Sequence, residues 1–207
     1  LGMRLAYVPA GEYTIGSEVS EPGRHHDEGV RRVRISRGFY LGVTEVTQAQ
    51  WGRLMPRDRS EVTGPDLPVT KVSWSNAVAF CRKLSEAEGR TVRLPTEAEW
   101  EVACRAAAET PPVGEALDEV AWHMDNSEGE PHPVAEKKPN AWGLYDMHGN
   151  VAEWCGDFYA AARPADGAID PAGPAEGTAR VVRGGSYGHF PRACRCAARA
   201  SYNPAYG

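Results

Sequence analysis

The side chains best suited to covalent or metal chemistry in this sequence are its five cysteines: Cys81, Cys104, Cys155, Cys194 and Cys196. No two of them have the Cys-x-x-Cys spacing that is typical of zinc ribbons and thioredoxin-type redox sites, so the pattern favours neither. Because the number of cysteines is odd, at least one thiol remains unpaired within the chain.

Two adjacent histidines, His25 and His26, are a second candidate for metal chemistry. They lie in the polar stretch 17–31, which is typical of an exposed loop. Neighbouring side chains point to opposite sides of an extended chain, so this pair does not converge on a metal without other ligands. We interpret both as surface residues.

The segment 183–206 alternates a rigid framework with positions of unrelated chemistry. The framework residues are Arg183, Gly184, Gly185, Ser186, Pro191, Arg192, Cys196, Arg199 and Pro204. The other positions include Gly188, His189, Phe190 and Ala193, and then Ala200, Ser201, Tyr202, Ala205 and Tyr206. A catalytic site needs particular groups at particular spacings. Aromatic and small side chains on a constant scaffold are more typical of a binding surface.

Composition narrows the class of protein. A length of 207 residues and a charged fraction of 25% are ordinary for one soluble globular domain. The net charge of -5 argues against a nucleic-acid-binding surface. No apolar run approaches the roughly 18 residues of a membrane span, so none is predicted. The first residues lack a signal-peptide pattern. The sequence leaves two localisations open. The protein is cytoplasmic, or it reaches the cell surface or is secreted by means of a segment outside this sequence.

Short elements separated by turns are predicted to position these residues. Thr47 with Gln50, and Thr96 with Glu99, have the spacing of capping boxes and predict two helix starts. The periodicity of 76–88 predicts an amphipathic helix that Gly89 ends. Alternating residues predict strands within 5–16, 33–42 and 179–183. The residues from 142 to 159 are rich in aromatic side chains and turns. This mixture predicts an α+β fold.

Four motifs in order resemble the formylglycine-generating enzyme (sulfatase-modifying factor) family nearly end to end. They are residues 39–47, 93–101 (Arg-Leu-Pro-Thr-Glu-Ala-Glu-Trp-Glu), 140–154, and 183–187 together with 195–199. The resemblance implies a single domain over 1–207 with a variant C-type lectin fold. Such a fold has a small twisted antiparallel sheet, two main helices and abundant loops. The motif tryptophans Trp100, Trp142 and Trp154 are expected in the core.

The family's catalytic cysteines are not matched in this sequence. In the enzymes that the chain resembles, two copper-binding cysteines follow the Gly-Gly-Ser motif as Cys-x-x-x-x-Cys. Their places fall on His189 and Cys194 counted forward from Tyr187, or on Ser186 and Pro191 counted back from Cys196. Neither count gives two cysteines, so no copper and no catalytic residue are expected. A metal pair formed by His189 and Cys194 is the alternative.

The variable proteins of diversity-generating retroelements, which share this framework, resemble the chain more closely. The resemblance implies a non-catalytic ligand-binding protein whose surface is diversified near the C-terminus. The expected contact residues are Tyr187, Gly188, His189, Phe190, Ala193, Ala200, Ser201, Tyr202, Ala205 and Tyr206. The ligand is a protein or a small molecule. The alternatives are an enzyme that oxidises a substrate cysteine to formylglycine and another metal-dependent oxidase of the same fold.

The resemblance also implies a calcium loop and a cysteine pair. The loop would offer the carboxylates of Asp146 and Glu153 and the backbone carbonyls of Gly149 and Val151, an all-oxygen set that suits a hard cation. Cys104 and Cys196 occupy the places of a family disulfide. They are expected to form a disulfide in an oxidising compartment and adjacent buried thiols in a reducing one.

Overall fold

The computed structural model describes residues 1–108, 112 and 115–206, and within them short strands and helices alternate with long loops. The strands are β1 (Leu5–Val8), β2 (Gly11–Ile15), β3 (Arg31–Ile35), β4 (Phe39–Gly42), β5 (Glu153–Phe158), β6 (Ala168–Ile169), β7 (Arg180–Arg183) and β8 (Ala200–Tyr202). The helices are α1 (Gln48–Gly52), α2 (Trp74–Glu88), α3 (Glu97–Arg105) and α4 (Glu115–Asp118), with a 3₁₀ turn at Pro191–Cys194. This content is α+β, as predicted.

The strands form three small sheets. β1 pairs antiparallel with β4. β2 pairs antiparallel with β3, which also pairs parallel with β6. β7 lies between β5 and β8 and is antiparallel to both. Because β7 and β8 flank residues 184–199, this third sheet holds both ends of the C-terminal segment.

Both predicted capping boxes are confirmed. The side chain of Thr47 accepts a hydrogen bond from the amide of Gln50, and Thr96 accepts one from the amide of Glu99. α2 begins earlier than predicted because Ser73 caps it by accepting a hydrogen bond from the amide of Asn76. It ends, as predicted, at Gly89, whose φ of 63° is readily adopted only by glycine.

The strand β5 lies inside the stretch whose sequence indicates mainly aromatic residues and turns. Its side chains do not alternate cleanly between buried and exposed positions, so a two-residue pattern is weak. Its partner β7 lies about 25 residues further along the chain. Pairing between strands so far apart gives little signal in the local sequence. The exposed residues His25 and His26 lie in the predicted loop.

Helix α3 is the centre of the core. Every residue from Glu97 to Cys104 is buried, and Trp100 is fully enclosed. The apolar side chains of α3 join Val8, Ile15, Ile35 and Val181 in one cluster. α3 therefore packs between the strands of different sheets, although three of its buried residues, Glu97, Glu99 and Glu101, are acids.

The buried charge of Glu101 is balanced by three arginines. Arg183 Nη2 donates to Glu101 Oε2 at 2.6 Å, Arg163 Nη2 donates to the same oxygen at 2.8 Å, and Arg105 Nη2 donates to Oε1 at 2.9 Å. Burial acts to raise the pKa of Glu101, but the charges of these arginines outweigh it and hold the pKa well below its usual range. Glu101 is therefore ionised inside the core.

Arg183 extends this network to the C-terminal segment. Its Nη2 also donates to the carbonyl of Cys196 at 2.7 Å, and its Nη1 donates to the carbonyls of Ala198 at 2.5 Å and Ala197 at 3.2 Å. The side chain is fully buried. One guanidinium thus joins α3, β7 and the backbone of 196–198.

Two further arginines of the segment bind inward in the same way. Arg195 donates to both carboxylate oxygens of Glu28, at 2.7 and 2.9 Å. Arg199 donates to both oxygens of Glu97, at 2.6 and 2.8 Å. Paired hydrogen bonds of this kind impose a geometry as well as a charge balance, so they hold the backbone from which each arginine projects.

Glu101→Gln is expected to lower the free energy of unfolding by about 3–5 kcal/mol, because it leaves buried arginines without their counter-charge. Urea denaturation at pH 7 measures this change. Asp166→Asn is the control, since it alters the largely exposed pair with Arg32 and is expected to leave the midpoint almost unchanged. Equal effects of the two substitutions would contradict a central role for Glu101.

The same comparison has a defined pH dependence. A carboxyl whose pKa is lowered by folding stabilises the fold fully above its unfolded pKa of about 4.3, and that contribution is lost as the pH falls towards the folded value. The stability difference between the parent chain and Glu101→Gln should therefore be constant above pH 5 and shrink below pH 4.

Candidate functional site

One broad groove of about 1530 Å³ runs beside the C-terminal segment. Tyr187, His189, Tyr202 and Tyr206 line one part of it. Phe80 and Leu84 of α2 contribute apolar surface, and β4 contributes Tyr40 and Leu41. Four of the predicted contact residues therefore share one concave surface.

Aromatic rings are packed against one another along this groove. The rings of Tyr202 and Tyr206 stack with their centroids 5.1 Å apart, and Trp154 meets Tyr202 edge to face at 6.4 Å. Trp154 Nε1 donates to the carbonyl of Val72 at 2.7 Å, which holds the indole in place. Such rings combine a large apolar area with polar tips, which suits them to contacts with a ligand.

The three motif tryptophans do not share the expected core position. Trp100 is completely buried and Trp142 packs partly buried against the same cluster. Trp154 is only half-buried and lines the groove, so its assignment to the core is corrected. Trp154 is the second residue of β5, directly after Glu153, and its position follows from that strand. The strand was not predicted.

Burial follows the two predicted roles only in part. Of the nine predicted framework residues, Arg183, Gly184 and Cys196 are buried, Arg192 is exposed and the other five are partly buried. Cys194, Arg195, Cys196, Ala197 and Ala198 are all buried. None of the ten predicted contact residues is buried: Tyr187, Gly188, His189, Phe190, Ala193, Ala200, Ser201, Tyr202, Ala205 and Tyr206 all reach solvent. Gly188, Phe190, Ala193, Ala200, Ser201 and Ala205 do so outside the groove lining. Phe190, half exposed, lies under the guanidinium of Arg192 at 5.1 Å.

Hydrogen bonds hold the backbone beneath the first group of these side chains. The amide of Tyr187 donates to the carbonyl of Asn150 at 2.8 Å, and its carbonyl accepts from Ser127 Oγ at 2.8 Å. The carbonyl of His189 accepts from the amide of Met124 at 3.0 Å. His189 Nδ1 lies 2.7 Å from Ser186 Oγ, closing a local turn. The main chain is thus anchored while the side chains project outward.

Cys194 falls on one of the copper-ligand places only in the count forward from Tyr187. Its side chain is fully buried, and Sγ lies where a Cβ on Gly185 would approach it to 2.7 Å. Burial raises the pKa of this thiol to about 12, so it stays protonated at neutral pH. It is not among the residues that line the groove, whereas His189 is.

The predicted calcium loop borders the groove, which Val151 and Glu153 line, and it contains a buried carboxylate oxygen without a hydrogen-bond partner among the described residues. Asp146 Oδ2 accepts from the amide of Ala135 at 2.7 Å, while Oδ1 is buried and has no hydrogen-bond partner among the described residues. Glu153 Oε2 accepts from Trp100 Nε1 at 3.1 Å. The amide of Val151 donates to Glu45 Oε1 at 3.1 Å, which adds a third acid that was not predicted.

Burial dominates the ionisation of these acids. It raises the pKa of Asp146 to about 6 and that of Glu153 to about 7. It also raises the pKa of Glu45 well above its usual value, with further contributions from the charges of Asp146 and Glu153. Glu45 belongs to the first family motif, and that is the signal by which sequence reasoning could have included it. In the described part of the chain these carboxylates do not bring three oxygens within 4.8 Å of one another.

Three residues of this loop, Asp146, Gly149 and Asn150, have a left-handed backbone, Asp146 with a φ of 57°. Gly149 has a φ of 111°, and a Cβ there would lie 2.1 Å from the carbonyl oxygen of Trp122. Asn150 has a φ of 55° and is fully buried. Its Nδ2 donates to Glu45 Oε2 at 3.2 Å, while its carbonyl holds Tyr187. The loop is therefore connected directly to the groove.

The predicted cysteine pair is a disulfide in this structure. Cys104 and Cys196 are joined with their Cα atoms 5.8 Å apart, linking α3 to the C-terminal segment. Among the described cysteines, Cys81, Cys155 and Cys194 are outside any disulfide.

The sequence of this chain matches the sulfatase-modifying factor enzyme 1-like domain over residues 3–206. The chain belongs to this family. The formylglycine-generating enzyme of Bos taurus is 36% identical over 178 residues, an alignment that covers 77% of this chain and 46% of that protein. The enzyme of Streptomyces coelicolor is 39% identical over 167 residues, covering 70% of this chain and 51% of that protein. The chain thus spans about half the length of the curated relatives it matches.

Solved structures confirm the predicted variant of the C-type lectin fold. Treponema denticola variable protein 1 superposes with a TM-score of 0.89 and 30% identity, over 97% of this chain and 90% of that one. PvdO from Pseudomonas aeruginosa gives a TM-score of 0.88 and 26% identity, over 98% and 89%. The family framework thus occurs both in enzymes and in a variable protein. None of the described helices of this member is long and apolar enough to cross a membrane.

Proposed function

We propose that this protein is a non-catalytic ligand-binding module whose contact surface is formed by the exposed side chains of 187–206. The observation that carries the proposal is the division of burial within the segment. Residues 194–198 are buried, and all ten predicted contact residues reach solvent. Substitutions at exposed positions of this kind alter the contact surface and leave the core unchanged.

The chemistry of the contact residues supports recognition of a broad ligand surface. Tyr187, Tyr202, Tyr206 and Phe190 offer large rings with few rotatable bonds, which bind with a small loss of side-chain entropy. Gly188, Ala193, Ala200 and Ala205 leave space between them. Large rings separated by small residues suit a protein partner, and the likeness to a variable protein supports a surface that differs between copies.

The cysteine chemistry argues against the formylglycine-generating alternative. That activity requires two thiolates that bind copper where substrate reaches them. Counted forward from Tyr187, the two places fall on His189 and on the buried, protonated thiol of Cys194. Counted back from Cys196, they fall on Ser186 and Pro191, so neither count supplies two cysteines. Sequence identity of 36–39% with the enzymes nevertheless makes this the second candidate, and it has a direct assay.

The proposed module also holds a hard cation, most simply Ca²⁺, at the Asp146 loop. The buried oxygen Asp146 Oδ1 has no partner among the described residues, and Glu153 is the other carboxylate ligand in the proposal. Backbone carbonyls of Gly149 and Val151 complete an oxygen set that suits calcium. The cation would balance acids that burial otherwise drives towards the protonated form, and it would brace the loop that holds Tyr187.

Sequencing this gene in closely related isolates tests the binding proposal. We expect substitutions to concentrate at the ten contact codons, because those side chains reach solvent and carry recognition. The codons of Arg183 and of 194–198 are the internal control and should stay constant, since their side chains are buried or paired. Invariant contact codons, or changes spread evenly over the segment, would exclude a diversified surface.

The enzymatic alternative is tested with the copper-loaded chain, oxygen and a Cys-x-Pro-x-Arg peptide. We expect no aldehyde product by mass spectrometry. Cys194 is buried, and neither count along the sequence gives two cysteines at the copper-binding places. The Streptomyces coelicolor relative is the positive control. Aldehyde formation that is lost in Cys194→Ala would establish the enzymatic function instead.

Calcium binding is tested by thermal unfolding with excess EGTA or with Ca²⁺. At a hundredfold excess over its dissociation constant, a ligand that binds only the folded state adds about 2.7 kcal/mol of stability. We expect a higher melting temperature with Ca²⁺ in the parent chain and no shift in Asp146→Asn. Glu130→Gln, an exposed acid of the groove rim, is the control that should keep the shift. Equal melting temperatures with and without Ca²⁺ in the parent chain would reject the site.

A further inference from the structure

A buried histidine lies directly against the disulfide. His148 Nε2 is 3.7 Å from Cys104 Sγ and 3.7 Å from Cys196 Sγ. In the described part of the chain these three residues are the one group of His, Cys, Asp or Glu that brings three ligand atoms within 4.8 Å of one another. All three side chains are buried.

The orientation of the imidazole is set by its other nitrogen. His148 Nδ1 is 2.8 Å from the carbonyl oxygen of Cys194. A carbonyl only accepts hydrogen bonds, so Nδ1 carries the proton and donates it. In the neutral ring Nε2 therefore presents its lone pair to the two sulfur atoms. A backbone carbonyl that orients the far nitrogen is the usual support of a metal-binding histidine.

The distances are close to those of a tetrahedral zinc site. With Zn–S near 2.3 Å and Zn–N near 2.0–2.1 Å, ligand atoms at tetrahedral corners lie about 3.6 Å apart for nitrogen and sulfur and about 3.8 Å apart for two sulfurs. The observed separations of 3.7 Å from Nε2 to each sulfur already match. The one large movement needed is to separate the two sulfur atoms from the disulfide bond length of about 2 Å to the about 3.8 Å of a tetrahedral site.

The charge of such a site suits its surroundings. Two thiolates and a neutral imidazole balance Zn²⁺, so the cluster is neutral overall, which limits the cost of placing it in the core. A monovalent metal with the same ligands would leave a net negative charge there. Sulfur and imidazole ligands also select zinc over calcium or magnesium, which prefer oxygen.

We propose that Cys104, Cys196 and His148 form a zinc site when the disulfide is reduced, so that this position holds either a disulfide or a metal. A dithiol reductant supplies two electrons and two protons, which gives two cysteine thiols and the oxidised reductant. Zn²⁺ then displaces the two thiol protons and binds the thiolates and His148 Nε2. The link between α3 and the C-terminal segment is thereby kept in both redox states. This inference does not depend on the proposed ligand-binding function.

Cobalt substitution of the reduced chain tests the site. The protein is reduced with dithiothreitol, desalted without oxygen and titrated with Co²⁺, while circular dichroism follows its fold. We expect one Co²⁺ per chain with thiolate-to-cobalt charge-transfer absorption, which one equivalent of Zn²⁺ abolishes. The oxidised chain should show no such absorption. A reduced chain that folds without this absorption, or that unfolds and is not refolded by Zn²⁺, would overturn the proposal.

Three variants separate metal binding at this site from metal binding by the other thiols. Cys104→Ser should remove the charge-transfer absorption, and His148→Gln should weaken Zn²⁺ binding roughly tenfold or more. Cys81→Ser removes a thiol that is not in the cluster and is the matched control that should retain both properties. Absorption that persists in Cys104→Ser would assign the metal elsewhere, and unchanged affinity in His148→Gln would exclude the histidine as a ligand.

Discussion

The buried ion pair between Arg183 and Glu101 is the constraint on which the rest of this structure depends. A charged helix residue in a core of tryptophan and aliphatic side chains is tolerable only if its oxygens are fully paired, and three arginines provide that pairing. Arg183 has donors left over, and it uses them on the carbonyls of 196–198. The same interaction that neutralises the core therefore determines the path of the chain beneath the surface segment.

In the proposed ligand-binding module, this arrangement separates stability from recognition within a single stretch of sequence. Arg183, Arg195 and Arg199 bind inward to Glu101, Glu28 and Glu97. Cys194 and residues 196–198 are buried with them, while the side chains of 187–190 and 200–202 reach solvent. The disulfide adds a covalent link from Cys196 to α3. The inward-facing and outward-facing side chains share a backbone but few contacts. Substitutions on the two sides are therefore expected to have nearly additive effects on the free energy of unfolding.

Local signals in the sequence predicted much of the fold, and non-local contacts account for what was missed. Capping boxes at Thr47 and Thr96 depend on residues three apart, so both helix starts were predicted correctly. β5 depends on pairing with β7, and Trp154 lines the groove because of that pairing, so neither was predicted. The partners Glu101 and Arg183 lie 82 residues apart, and neither residue alone indicates the other. The proposed contact residues were chosen by their contrast with the framework. Glu45 and His148 lie in family motifs, but only the fold shows that they contact Asn150 and the disulfide.

The carbonyl of Pro204 accepts a hydrogen bond from the amide of Trp74, at the first turn of α2. With Arg183 at its other end, the segment is therefore tied down on both sides, and its main chain is already ordered in the free protein. A ligand that docks there immobilises mainly side chains, so little backbone entropy is lost at encounter. The proposed function then implies that copies with different contact residues associate at similar rates and differ chiefly in how long each complex lasts.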